Sequence, residues 1–215
     1  IGVGICNQEG NGLYYPCDLN RDHALANALR IACANRLVVA SNVKFEKHVL
    51  SRYGIVIPRY EDTMLMAQLL GDVPAGLKDA FNHLFGREMI PIERVIGKGA
   101  SQISMADAPV EAVVQYAAQD PDATWRVWRA LSRRFEEAPS LNRIYQEIEL
   151  PLVDVIVEME RNGMAFAPER LDAARATLST RHTQVVDHLN ALLGVHHCFR
   201  CNHPKPLHLK TRCTA

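Results

Sequence analysis

Tyr116-Ala-Ala-Gln-Asp120 places an aromatic hydroxyl four residues before a carboxylate, and Asn42-Val-Lys-Phe-Glu46 places another carboxylate beyond an apolar run far upstream. That pairing suits metal-dependent hydrolysis of a phosphodiester. Two divalent cations about 3.5–4 Å apart repel each other unless carboxylates from different elements surround them. The sequence supplies two such acids, Glu46 and Asp120. Taken singly, each residue has a plainer role. Asp120 before Pro121 is a common helix N-cap, worth about 1 kcal/mol. Tyr116 alone would be an amphipathic core residue, Glu46 a solvated charge and Asn42 a turn or cap residue. Their joint arrangement is what points to chemistry.

The elements that must position these residues follow from periodicity and punctuation. Residues 1–6 and Leu13-Tyr14-Tyr15 predict a hairpin, with Asn11-Gly12 as its turn. Asp22 caps a helix in which Leu25, Ala28, Leu29 and Ala32 repeat at helical spacing, and Leu37-Val38-Val39-Ala40 is a short buried strand. A helix from about Phe45 to Tyr53 stops at Gly54, and Ile55-Val56-Ile57-Pro58 is extended. Strand, helix, strand, helix is α/β patterning.

From Asp62 onward the pattern is helical. Thr63 opens a short helix that closes near Gly71, Leu77 to Phe85 forms another stopped by Gly86, and residues 97–101 form a loop. Pro109 to Ala118 predicts a helix. Asp120-Pro121 then serves as N-cap and first residue of the next one, with Trp125, Trp128, Leu131 and Phe135 on one buried stripe. Pro139-Ser140 ends that helix. Leu141 to Asn162 is a long helix, kinked or restarted at Pro151 and closed by Gly163. Pro168 opens a last helix to Leu193, and these two are expected to form an antiparallel pair.

Composition sets the outer bounds. A hydrophobic content of 48% over 215 residues suffices for a packed core. The most apolar candidate for a membrane span, Ile148 to Met159, is interrupted by Glu149, Pro151, Asp154 and Glu158, so no membrane role is expected. Lys plus Arg balance Asp plus Glu at 24 each, so any nucleic acid must be held by a local site. No secretory leader is read. Six Cys, three scattered as Cys6, Cys17 and Cys33 and three clustered near the end, lack the density of a disulfide scaffold, and a cytoplasmic location is the expectation. The chain starts on Ile1 inside a strand-like run, which predicts a piece of a longer gene product.

Ser41-Asn-Val-Lys-Phe-Glu-Lys-His-Val-Leu50 resembles the second exonuclease motif of family A DNA polymerases, the bacterial DNA polymerase I type, and Tyr116-Ala-Ala-Gln-Asp-Pro-Asp-Ala-Thr124 resembles the third. Glu61-Asp-Thr-Met-Leu65 and residues 97–105 match further family segments in order. Residues 147–163 are similar to the helix that leads into the polymerase thumb. The resemblance covers residues 1 to about 194. It implies a ribonuclease H-like α/β domain, mixed in its sheet and lacking its first strand, over residues 1–138. A helical start of the thumb would follow at residues 139–194, then an irregular tail at 195–215.

The resemblance also implies roles. Asp120 would bind a catalytic Mg²⁺ or Mn²⁺ directly, Glu46 would hold the second metal through water, and Tyr116 would orient the attacking water. Asn42, Phe45, Lys98 and Met105 would contact a single-stranded 3′ end of DNA, where stacking on an aromatic contributes about 1–3 kcal/mol per base. Glu46 departs from the usual Asp, and Met105 from the usual aromatic. The family's Asp-x-Glu strand would lie before Ile1, since residues 1–20 hold no such pair. In the tail, Cys198, Cys201, His208 and Cys213 have six residues between the second Cys and His, where a zinc knuckle has about four. Zinc is not expected there. A frameshift or truncated reading is the expected reason for the tail's departure from the family.

The expected activity is therefore 3′–5′ proofreading hydrolysis within a larger polymerase polypeptide. Two alternatives stand beside it: a catalytically inactive exonuclease-like scaffold that binds single strands, and a ribonuclease D-like exonuclease.

Overall fold

The computed structural model describes residues 2–99, 102–165, 167–193, 196–197 and 204–205. Two compact units are present, Ile1–Asn162 and Gly163–Ala215.

The first unit opens with a hairpin, β1 (Val3–Cys6) antiparallel to β2 (Gly12–Tyr15), in register Val3 with Tyr15 and Cys6 with Gly12. The turn lies one step earlier than Asn11-Gly12. Asn11 donates its backbone N–H to Gln8 O at 3.1 Å, and Gly10 takes the left-handed conformation with φ 78°. Gly12 is needed for a different reason, because a Cβ there would collide with the Ala118 carbonyl.

Helix α1 (His23–Asn35) starts where the Asp22 carboxylate accepts from Leu25 N, as the cap pattern predicts. Strand β3 (Val38–Ala40) leads to helix α2 (Val43–Ser51), and β4 (Tyr60–Asp62) pairs parallel to β3. The strands thus form two separate pairs in this unit. Sequence pattern missed β4. Tyr-Glu-Asp has neither alternation nor β-branched residues, and only pairing with β3 makes it a strand.

Helices α3 (Thr63–Leu70), α4 (Leu77–Phe85) and α5 (Glu93–Ile96) follow, the first two ending on Gly71 and Gly86 at positive φ as their sequences predict. A 3-10 turn at Met105–Asp107 precedes α6, which runs unbroken from Val110 to Glu136. This corrects the expectation of a restart at Asp120-Pro121. Pro121 sits inside the helix, where loss of an N–H and a steric clash cost about 3 kcal/mol. Continuing the helix buries Ala123, Val127, Leu131 and Phe135, which outweighs that cost. The hairpin also fits closely here, since a Cβ on Gly4 would stand 2.8 Å from the Ala117 carbonyl, the one Pro121 cannot bond. The expected stripe is corrected too. Leu131 and Phe135 are core, whereas Trp125 and Trp128 are half-buried and pack on each other with centroids 5.2 Å apart.

After α7 (Pro139–Ile144) the chain makes a π turn at Tyr145–Glu149 and continues as α8 (Leu150–Asn162). The wide turn lies just before Pro151, so the helix absorbs the proline without breaking. It also carries Tyr145 inward, edge-on to Phe135 at 5.2 Å. Tyr145, Leu150, Val153 and Val157 belong to the core clusters of the first unit, which therefore extends past Pro139 to Asn162.

In the second unit α9 spans Pro168–Leu193, opened by Pro168 as its sequence predicts, and β5 (His196–His197) pairs antiparallel with β6 (Pro204–Lys205). Cys198, Cys201, His208 and Cys213 lie outside the described residues. Among the described residues no helix is long and apolar enough to cross a membrane.

Asp62, 1% exposed, ties these elements together. One carboxylate caps two helices. It accepts from Asn42 N at 3.1 Å and Val43 N at 2.8 Å at the start of α2, and from Met64 N at 2.9 Å and Leu65 N at 3.4 Å at the start of α3. Its own N–H donates to the Tyr145 hydroxyl at 2.8 Å. Asp62→Ala should therefore lower stability by about 2–4 kcal/mol, since two caps at about 1–2 kcal/mol each are lost. Tyr145→Phe, which strands one buried N–H, should cost about 1–2 kcal/mol. Urea unfolding measures both; an Asp62→Ala change under about 0.5 kcal/mol would rule out the double cap.

Candidate functional site

Two groups of residues hold the side chains that the sequence singles out. The first sits in the opening turn of α2, where Asn42, Phe45 and Glu46 follow directly on the Asp62 cap. Asn42 has φ 73° and ψ 60°, the one non-glycine with positive φ among the described residues. Its side chain makes no cap bond. The Asp62 carboxylate holds its N–H instead, which fixes a left-handed conformation that Asn tolerates better than most residues. Phe45 is 61% exposed, presenting a bare ring to solvent.

Glu46 is the electrostatic outlier. Its Oε2 is buried and has no hydrogen-bond partner. Burial pushes its carboxyl from the ordinary 4.5 up to about 7; its own backbone N–H opposes the rise, and the Asp62 charge adds to it. A desolvated carboxylate oxygen with an unspent lone pair is a hard donor of the kind Mg²⁺ or Mn²⁺ takes.

The second group lies on α6. Tyr116 and Asp120 are one turn apart on the same face. Burial raises the Asp120 carboxyl above its usual range, and the nearby Lys78 ammonium works against the rise. Lys78, on α4, donates to the Ile90 carbonyl at 3.3 Å. Its Nζ also lies 3.5 Å from the Tyr116 hydroxyl and 4.8 Å from the ring centroid. Tyr116 and Met105 pack against the same apolar cluster of Val95, Ile96, Ala108 and Val113. Lys98 is exposed in the loop after α5.

The structure therefore places Tyr116 and Asp120 on one face of α6, with Met105 on the apolar cluster against which Tyr116 packs, and Asn42, Phe45 and Glu46 at the start of α2. Among the described residues no three His, Cys, Asp or Glu side chains come close enough to hold a metal ion. The oxygen donors fit Mg²⁺ or Mn²⁺ in kind, Glu46 through its unpartnered atom and Asp120 through its desolvation.

Two residues of the site escaped the sequence reading of roles. Asp62 is legible as a cap for α3, since it directly precedes an apolar helical run. Nothing in the sequence shows that it also holds α2. Lys78 has no local signal at all, because only the packing of α4 against α6 brings it to Tyr116.

The second helix is braced from behind. Lys44 and His48 both reach Glu160 on α8, at 2.6 and 2.7 Å. The buried Lys47 pairs with Asp154 and lies 3.8 Å over the Tyr60 ring.

Comparison with known proteins decides the family. A sequence model of the 3′-5′ exonuclease family, the exonuclease domain of DNA polymerase A, matches residues 1–136. The chain belongs to that exonuclease family. It is 37% identical over 158 residues to DNA polymerase I of Chloroflexus aurantiacus, covering 72% of this chain and 17% of that protein. It is 34% identical over 181 residues to DNA polymerase I of Pseudomonas aeruginosa (76% and 20%), and 30% identical over 173 residues to that of Rhizobium leguminosarum (80% and 17%). The exonuclease-family chain thus spans about a fifth or less of the length of these relatives.

A pH prediction follows for the metal-free chain. A carboxyl whose folded pKa is raised favours the folded state while protonated, so its contribution is full below about 4.5 and is lost as pH rises through about 7. In chelator, Glu46→Gln should leave stability unchanged near pH 4.5 and raise it by about 1–3 kcal/mol at pH 8. Urea unfolding at both pH values tests this; an equal difference at each would show that Glu46 is not desolvated.

Proposed function

We propose that this chain is the 3′–5′ exonuclease region of a cytoplasmic family A DNA polymerase, hydrolysing the 3′-terminal phosphodiester of a single-stranded DNA end. The observation that carries the proposal is the buried, unpartnered Glu46 oxygen at the start of α2, read with the Tyr116–Asp120 pair on α6. A buried charge without a partner costs stability, and such sites are retained where a ligand completes them.

Asp120 and Glu46 are the residues that would hold Mg²⁺ or Mn²⁺, with Glu46 acting through water. When bound, such ions lower the pKa of a water and stabilise the departing oxygen. The chain's own groups do the rest. The Tyr116 hydroxyl orients the attacking water. Phe45 stacks on an unpaired base, Asn42 holds the strand beside it, and Lys98 and Met105 meet the strand across the α5–α6 loop. Lys78 adds positive charge at the Tyr116–Asp120 face, where a phosphate would sit.

The fold proposed is ribonuclease H-like, with an upstream strand bearing an Asp-x-Glu pair. Its support is that the strands of the first unit form two separate pairs, and β1–β2 and β3 both pack on α6. An additional strand would join them and bring further carboxylates to Glu46 and Asp120. The remainder of the polymerase would be the partner that delivers frayed ends.

One observation favours a second role, a non-catalytic single-strand-binding scaffold: no three potential ligands cluster among the described residues. A labelled-oligonucleotide assay separates the two. The 215-residue chain should show little or no turnover. A chain extended upstream through an Asp-x-Glu strand should degrade single-stranded 3′ ends with Mg²⁺ or Mn²⁺, and Asp120→Ala should slow it by about 10²–10³-fold. Digestion indifferent to Asp120→Ala would sink the site, and an inert extended chain would favour the scaffold.

A further inference from the structure

The opposite side of α6 carries a different kind of surface. At 100° per residue, Trp125, Arg129 and Arg133 lie about 100–180° around the helix from Tyr116 and Asp120. They line a groove of about 420 Å³ with Phe81 and Phe85 from α4 and with Arg87 just beyond it.

Four guanidinium groups face this groove, and one of them is already spent. Arg126 bridges Glu9 at 2.7 Å and Asp122 at 2.9 Å, offsetting one of the two carboxylate charges at the rim. Arg87, Arg129 and Arg133 are exposed and make no ion pair among the described residues. Arg129 and Arg133 are also four apart on one helix, a like-charge arrangement that destabilises an isolated helix. In a chain with zero net charge, three unpaired cations round one groove form a local anion site.

The groove's walls narrow the chemistry. Phe85 is 39% exposed and packs on Phe81 with centroids 5.0 Å apart, while Trp125 is backed by Trp128. Rigid aromatic faces beside guanidinium forks suit a ligand that is both planar and anionic. Four residues of helix advance about 6 Å, so Arg129 and Arg133 are spaced for successive phosphates of an extended strand. An acidic peptide would use the charges and leave the rings idle. A duplex hides its base faces.

We propose that the groove between α4 and α6 is a second binding site, for single-stranded nucleic acid, holding one or two nucleotides on the face of α6 away from Tyr116 and Asp120. Bases stack on Trp125 and Phe85, and phosphates pair with Arg87, Arg129 and Arg133. The site is separate from the hydrolytic one and does not depend on it.

The test is equilibrium binding in chelator, so that cleavage plays no part. Oligo-dT of about 12 nucleotides is titrated into the 215-residue chain, and tryptophan quenching and labelled-strand anisotropy are followed. Trp125 and Trp128 are the two tryptophans, so quenching reports this groove. Arg129→Glu with Arg133→Glu should weaken binding 10- to 100-fold, and the neutral Gln pair should make the salt dependence shallower by about 1–2 in log–log slope. Trp125→Leu should weaken binding at least fivefold, in line with the loss of about 1–3 kcal/mol of stacking. Unchanged urea midpoints for the Arg variants, whose side chains are exposed, show that the fold is intact. Affinity unaffected by the Glu pair would overturn the proposal. Equal quenching by a poly-glutamate peptide or a hairpin duplex would also overturn it, reassigning the groove to an acidic protein or to duplex backbone.

Discussion

The Asp62 carboxylate is the constraint on which the first unit depends. Helix N-termini leave amide donors unsatisfied, and two such ends meet at one buried residue, so a single side chain discharges both. The placement of Glu46 follows directly. Asn42 is driven into its left-handed conformation, α2 starts at Val43, and the fourth helical residue is then Glu46. The same charge that fixes the helix also opposes ionisation of Glu46, so the scaffold and the electrostatics of the site come from one interaction.

The helices beyond Pro139 serve the same end. Tyr145 reaches the Asp62 backbone from the π turn, and α8 braces α2 through Lys44, Lys47 and His48. The Lys44 and His48 pairs with Glu160 matter more for geometry than for energy, since exposed ion pairs contribute little. The two internal prolines show how tertiary packing redefines a breaker. At Pro121 the burial of the following turns keeps α6 whole, and the glycines of the hairpin let the strands approach its backbone. At Pro151 the chain widens one turn into a π turn and keeps its direction.

Helix α6 then separates two surfaces by rotation alone. One face carries a hydroxyl and a desolvated carboxylate, met by the Lys78 ammonium from α4. The other carries guanidinium groups between aromatic walls. Because α6 is unbroken, the two faces are rigidly related, which a restart at Pro121 would not have guaranteed.

The sequence by itself determined the hairpin strands, β3, the Asp22 cap of α1, the glycine stops of α3 and α4, and the family to which the chain belongs. These are local signals: a cap, a stop or a motif acts within a few residues. Tertiary structure alone decided what required distant partners. Strand β4 exists because β3 offers an edge, and α6 continues because its buried face outweighs a proline. Trp125 stays half-buried because Ala123, Val127 and Leu131 take the core side. Asp62 holds α2 across 19–20 residues, and Lys78 meets Tyr116 across 38. No window of sequence contains those pairs, and only the folding of α2 beside α3, and of α4 against α6, brings them into contact.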